Sequence, residues 1–317
     1  MFYFRDVQQL DFLPRPGREF RESLSQRLAT WASRGVRFGG SSWKYTGWLG
    51  QIYDPSRYLV RGKLSQKKFE QDCLTEYAEV FPTVCGDFAF YKFYPAAFWD
   101  KLFAQVPAAF QFGFKAPEQI TSPADGNPDF LNADLLREHF LDRLQPHQAK
   151  VGYIVFEFPQ FHQPRPRFLE ELDTFLGKLP TGLRYGVEIR TRSLLAPEYF
   201  KCLQSHAVAH VFNAWTHMPV IREQLAMPGA FTAGFTIIRA LLRPGRTYEQ
   251  AVRLLQPYGE LRDPWPEGFD DVASVVRHSK GEAFIAVNNR FSGNSPLAIS
   301  AILDRLEATP PQSGSSA

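Results

Sequence analysis

The chain reads as a single TIM-type (β/α)8 barrel with an N-terminal extension. Three observations predict this. Eight short apolar β-type runs alternate with helical patterns, so neighbouring strands are parallel and need crossovers. No Gly-x-Gly-x-x-Gly loop follows the first run, which argues against a doubly wound open sheet. A length of 317 residues suits either two domains or one large α/β barrel.

Taken in order, residues 1–35 form the extension. "DFLPRPGREF" is loop-like, and "REFRESLSQRLATWASR" carries Phe20, Leu24, Leu28 and Trp31 at helical spacing. The barrel is expected over residues 36–308. Its strands are predicted at 36–42, 83–90, 110–116 and 152–158, then at 184–189, 207–213, 231–239 and 282–288. Helical patterns such as "QKKFEQDCLTEYAEVF" and "NSPLAISAILDRLE" fill the gaps. Residues 309–317 have the composition of a disordered tail.

Composition narrows the function classes. The apolar fraction of 44%, with 29 Phe, is enough for a large core. A net charge of +3 argues against a nucleic-acid partner. No apolar run reaches the roughly 18 residues of a membrane span, and no signal-like core opens the chain. Cys73, Cys85 and Cys202 are far apart with no Cys-x-x-Cys, so a reducing, cytoplasmic setting is expected without structural zinc or disulfides.

In a TIM barrel the loops after the strands gather on one face, where chemistry sits. The strand ends therefore list candidates. They are Ser41, Ser42 and Trp43 with Tyr45 beyond, then Asp87 with Tyr91, then Lys115, Glu157, Glu188 with Arg190, Asn213, Arg239, and Asn288 with Asn289. Lys115, Arg190 and Arg239, with Arg290 nearby, suit an anion grip, because guanidinium forks match phosphate or carboxylate. The alternative is a closed ion-pair network with Asp87, Glu157 and Glu188. Glu157 and Glu188, on neighbouring strands about 4.8 Å apart, could work as an acid and base pair, Glu188 being the better candidate. Trp43, Tyr45, Trp48, Phe90, Tyr91 and Trp215 suggest an aromatic wall. Asn288 and Asn289 suit hydrogen bonds that orient a substrate. No convergent His, Cys, Asp or Glu set points to a metal, and no cofactor is indicated. Cys85, on a buried strand, is expected to be inert.

"FGGSSWKYTGWLGQIYDP" resembles the opening signature of the YecE-like family, domain of unknown function 72. "VCGDFAFYKFYP", "FGFKAPEQIT", "YIVFEFPQF", "YGVEIRTRSLL", "TIIR" and "VNNRFSGNSPLA" resemble its later blocks in the same order, from about residue 36 to 305. The resemblance implies a TIM-type barrel and supplies no reaction. Lys115, Glu188, Arg190, Arg239, Asn288 and Asn289 fit its pattern. Cys85, Asp87, Glu157, Thr191, Asn213 and Leu241 depart from it, which marks a divergent member. The reading reached is a metal-independent hydrolase or lyase acting on a small anionic or phosphate-bearing molecule. The alternative is a non-catalytic binding or regulatory barrel.

Overall fold

The computed structural model describes residues 17–123, 126–161 and 164–308. The proposed tail and the first 16 residues of the extension lie outside the described residues. Eight parallel strands close into a barrel: β1 (Val36–Gly40), β2 (Thr83–Gly86), β3 (Gln111–Lys115), β4 (Val151–Phe158), β5 (Tyr185–Ile189), β6 (Ala209–Ala214), β7 (Phe235–Ala240) and β8 (Glu282–Val287). Each strand pairs with its neighbours in sequence, and β1 pairs with both β8 and β2 to shut the ring. This is the predicted TIM-type architecture, and each strand falls on its predicted run.

The largest boundary differences from expectation are two. β2 stops at Gly86, because Asp87–Phe90 coils into a 3-10 turn. β7 begins at Phe235 rather than at residue 231, after the chain passes Ala233 and Gly234.

Strand composition explains the layering. β4 reads VGYIVFEF and is buried along its whole length, as a strand covered on both faces must be. Its alternate residues Tyr153 and Val155 join Cys85, Val211, Ile237 and Phe284 in an apolar plug inside the barrel. Gly113 on β3 makes room for that plug. A Cβ there would lie 2.1 Å from the Tyr153 ring. The other face of each strand packs against the helices, in a continuous core that includes Phe112, Phe114, Phe156 and Phe158.

Helix α1 (Gly17–Ser33) buries Leu24 and Leu28 in that core. It is tied to the last helix, Ser295–Glu307, by Arg27 Nη2 and Asp304 Oδ1 at 2.7 Å, and toward the first barrel helix by Arg21 and Glu79. The first two barrel helices are α2 (Gln66–Tyr77), capped by the Ser65 hydroxyl, and α3 (Ala96–Phe103). Among the described residues no helix is long and apolar enough to cross a membrane.

His210 on β6 illustrates the outer core. Its ring is buried among Tyr199, Phe200 and Phe212, with Nδ1 3.2 Å from the Tyr199 hydroxyl. Burial pushes its pKa down to about 3. The unfolded chain takes up this proton near pH 6.5, whereas the folded protein refuses it until about pH 3. Stability from this group is therefore complete above pH 6.5 and falls as the pH drops, by roughly 1.4 kcal/mol per unit. Acid denaturation monitored by circular dichroism should show a shallower pH dependence for His210→Phe than for wild type between pH 6 and 4. Parallel curves would contradict the assignment.

Candidate functional site at the C-terminal mouth of the barrel

The side-chain period of two carries the interior columns upward. Above Tyr153 and Val155 on β4 comes Glu157; above Ile237 on β7 comes Arg239; above Val211 on β6 comes Asn213; above Gly113 on β3 comes Lys115. Strand register then sets neighbours. Glu157 lies opposite Glu188, and Asn213 lies opposite Arg239. The apolar plug thus ends in a polar layer at the strand ends, as the sequence predicted.

The charges in this layer close on one another. Arg239 Nη1 meets Glu157 Oε2 at 2.6 Å and also bonds Glu188 Oε2, while its Nη2 reaches Asp87 Oδ1 at 3.3 Å. Arg190 bridges the same glutamates, with Nη2 to Glu157 Oε2 at 2.7 Å and Nε to Glu188 Oε1 at 3.1 Å. Lys115 Nζ lies 3.0 Å from Glu157 Oε1. Three cations face three carboxylates. Two aromatic rings lie over the cations: Phe90 sits 3.6 Å from Lys115 Nζ, and Trp215 sits 3.6 Å from the Arg190 guanidinium.

The expectation that Lys115, Arg190 and Arg239 stand free to grip an anion is therefore not met. Nor does an acid–base role suit the two glutamates. Both oxygens of Glu188, which is 0% exposed, are held by guanidinium groups. Burial opposes ionisation of Glu157, but Arg190, Arg239 and Lys115 outweigh it and hold its carboxyl well below the usual range. A carboxylate so firmly ionised is a poor proton carrier near neutral pH.

Asp87 differs. It sits on the turn after β2, its side chain is 34% exposed, and its one ion-pair contact is the longest in the cluster. Burial raises its pKa, against the pull of Arg239 and Lys115. It also lines a groove of about 970 Å³ bordered by residues of α2 and α3. Trp43, Tyr94 and Phe98 give the groove aromatic walls, and its lining carries Lys44, Arg57 and Lys101 together with the carboxylates of Glu70, Asp72 and Glu76. Lys44, Tyr94, Phe98 and Lys101 were not sequence candidates. The groove depends on how far two helices splay, and no local pattern encodes that.

The model of the family described as "Protein of unknown function DUF72" matches residues 37–316. The chain belongs to the DUF72 family. The UPF0759 protein YunF of Bacillus subtilis strain 168 is 28% identical over 274 residues, which is 79% of this chain and 89% of YunF. A DUF72 family protein of Enterococcus faecalis V583 superposes with a TM-score of 0.63 at 16% identity, over 87% of this chain and 97% of the other. One from Thermotoga maritima MSB8 gives 0.60 at 20%, over 86% and 99%. At these identities the solved DUF72 structures establish the shared fold alone.

The DUF72 blocks quoted from the sequence also place residues whose work is structural. Asn289 is fully buried; its Oδ1 accepts from Ser295 N at 2.7 Å and from Trp48 Nε1 at 3.3 Å. Asn288 accepts from Arg290 N at 2.9 Å and donates to the Ser41 hydroxyl. Both expected substrate contacts are thus turn caps, the commonest use of asparagine in loops. Trp43 is buried edge-on against Phe88, and Tyr45 packs on Trp48 and Tyr258, so the expected aromatic wall is largely packing. Burial pushes the Tyr45 pKa up to about 12. Tyr91, by contrast, is 74% exposed. Burial also pushes the Cys85 thiol up to about 11, as an inert core cysteine requires. Among the described residues no three His, Cys, Asp or Glu side chains converge as metal ligands.

Proposed function

We propose that the C-terminal mouth binds a small anionic substrate and that Asp87 serves as its general acid or base, in a hydrolase- or lyase-type reaction without a metal. One observation carries this reading: a partly exposed carboxyl of raised pKa lines a groove of about 970 Å³. A cleft with a perturbed titratable group is the standing physical signature of a reactive site. The ion-pair layer beneath is its rigid floor. It fixes Arg239 beside Asp87 and leaves that carboxyl as the group able to exchange a proton with a guest. Substrate charge would be met at the edge, by Lys44 on one side and by Arg290, which forms no ion pair among the described residues, on the other.

The balance of the floor, three cations against three carboxylates, also suits a barrel that binds without converting. A thermal-shift screen of anionic metabolites, followed by mass spectrometry of the incubated hits, separates the two. Conversion of a hit supports the enzyme. Hits that bind and are recovered unchanged favour the binding barrel.

A further inference from the structure

We infer that the groove beside Asp87 is a saccharide site, and that the substrate of the mouth is an acidic sugar derivative whose neutral part lies in the groove. The inference rests on the reading of the mouth as a reactive site, and it names the class of that site's substrate.

Size gives the first argument. The groove holds about 970 Å³. That is the upper end of the roughly 300–1,000 Å³ of small-molecule sites. One carboxylate or phosphate group fills a small part of it. The guest therefore extends well beyond its charged end.

Charge says what the rest of the guest is not. Apart from Asp87, the lining sets Lys44, Arg57 and Lys101 against Glu70, Asp72 and Glu76. Arg57 and Glu76 already face each other at 3.6 Å. No surplus of either sign remains, so the groove suits a neutral polar body. The acidic group is left to the mouth.

The two borders of the groove differ in chemistry. The segment from the turn after β2 into α3 supplies rings, Phe88, Tyr94 and Phe98, each half-buried. Tyr94 and Phe98 stack with ring centres 3.9 Å apart. Phe88 packs against them at 5.6 and 5.5 Å, which fixes the platform. Among the lining residues, α2 contributes no ring. It brings exposed Glu70, Gln71, Asp72 and Thr75, a mixed set of hydrogen-bond donors and acceptors. Gln71 and Thr75, four residues apart, share one face of the helix.

Such a groove fits a guest that is itself two-sided. A pyranose ring is one: its axial C–H bonds make an apolar face that packs on an aromatic ring, and the hydroxyls around its edge both donate and accept. A planar base is apolar on both faces and is held best between two rings, which these borders do not offer. An alkyl chain would strip water from the polar groups of α2 and give them no partner. Because Asp87 lines the same groove, a saccharide lying there brings one end of itself to the proposed acid or base.

The full chain is screened by saturation-transfer NMR against neutral and uronate-bearing di- and trisaccharides of the gluco, manno and galacto series. Adenosine is the planar-ring comparison. At least one saccharide should bind, the uronate form more tightly than its neutral counterpart, with the strongest transfer on ring C–H protons. Lys92 Nζ already lies 4.7 Å from the Tyr94 ring centre, so Phe98 is the ring to change. Phe98→Leu keeps the bulk without the ring, and Gln71→Ala alters an exposed side chain. Each should weaken the saccharide on the order of tenfold, whereas Phe98→Tyr should bind as wild type does. Leu254→Ala, at an exposed side chain outside the groove, should change nothing. The inference is overturned if no saccharide binds, if adenosine binds more tightly than every saccharide, if the neutral forms are preferred, or if Phe98→Leu and Gln71→Ala bind as wild type does. Asp87-dependent turnover of a substrate that has no sugar ring removes the saccharide site alone. A saccharide that binds through Phe98 and Gln71 and is recovered unchanged removes the proposed reaction alone.

Discussion

Replacing Arg239 by methionine should lower the stability of the protein by about 3–5 kcal/mol, and the midpoint of thermal unfolding by on the order of 10 °C. Arg239 is almost wholly buried and bonds Glu157, Glu188 and Asp87. Methionine fills much of the same volume, so packing changes little. What changes is that two buried glutamates lose the guanidinium between them. They repel each other across one strand pair, where they are direct register partners. Arg190 and Lys115 stay in contact with Glu157 but do not replace Arg239 on Glu188 Oε2. Adding Glu157→Gln and Glu188→Gln to Arg239→Met should recover a large part of the loss, because the uncompensated charge is the source of the damage. Differential scanning calorimetry measures both. A loss under about 1 kcal/mol for Arg239→Met would mean the layer is solvated and open. For the same reason the effect of Glu188→Gln is expected first in stability rather than in chemistry.

Asp87→Asn should behave in the opposite way. Turnover of any substrate found for the mouth should fall by roughly 10²–10⁴, the usual worth of a positioned acid or base. The folded protein should be no less stable near neutral pH. The sign follows from the direction of the shift. Burial raises the Asp87 pKa in the folded state, so the folded protein holds this proton more tightly than the unfolded chain. Stability from the group is present at low pH and lost as the pH rises through the folded value. At neutral pH its ionised form is a burden, and the neutral amide removes that burden. The gain is modest, because a third of the side chain is exposed and Arg239 is within reach. Activity should rise with pH through the Asp87 pKa if the carboxylate is the base, and fall if the acid form is needed. Urea unfolding of the variant, set beside its turnover, gives both readings. Turnover equal to wild type would remove Asp87 from the reaction.

Much of the barrel was legible because its signals are local. β4 is eight residues of continuous apolar sequence broken by one acid, and such a run reads as a strand buried on both faces with a charge at its end. The predicted strand ends place Glu157, Arg239, Asn213 and Lys115 at one level. Their partners were legible only as one of two alternatives, an anion or the ion-pair network with Asp87, Glu157 and Glu188 that the structure shows. Whether Arg190 meets a ligand or Glu157 depends on side-chain reach across the closed ring, and sequence spacing is silent on that. Asn288 and Asn289 were misplaced because one residue type serves both ligand contacts and turn caps, and the caps need Ser295 and Trp48, 6 and 241 residues away from Asn289. Asp87 was on the list, but its distinction from the glutamates is a matter of exposure. That comes from β2 ending early and turning it toward the groove.

The central claim is that the Asp87 carboxyl at the mouth is poised to exchange a proton while that of Glu157 beneath it is held as an anion. A carbon-detected NMR titration of the side-chain carboxyl groups addresses it directly. Asp87 should titrate above the ordinary aspartate value of about 3.9, with Glu157 still ionised well below the range where glutamates normally take up a proton. An Asp87 midpoint at or below the ordinary value, or a Glu157 that titrates normally, would contradict the account.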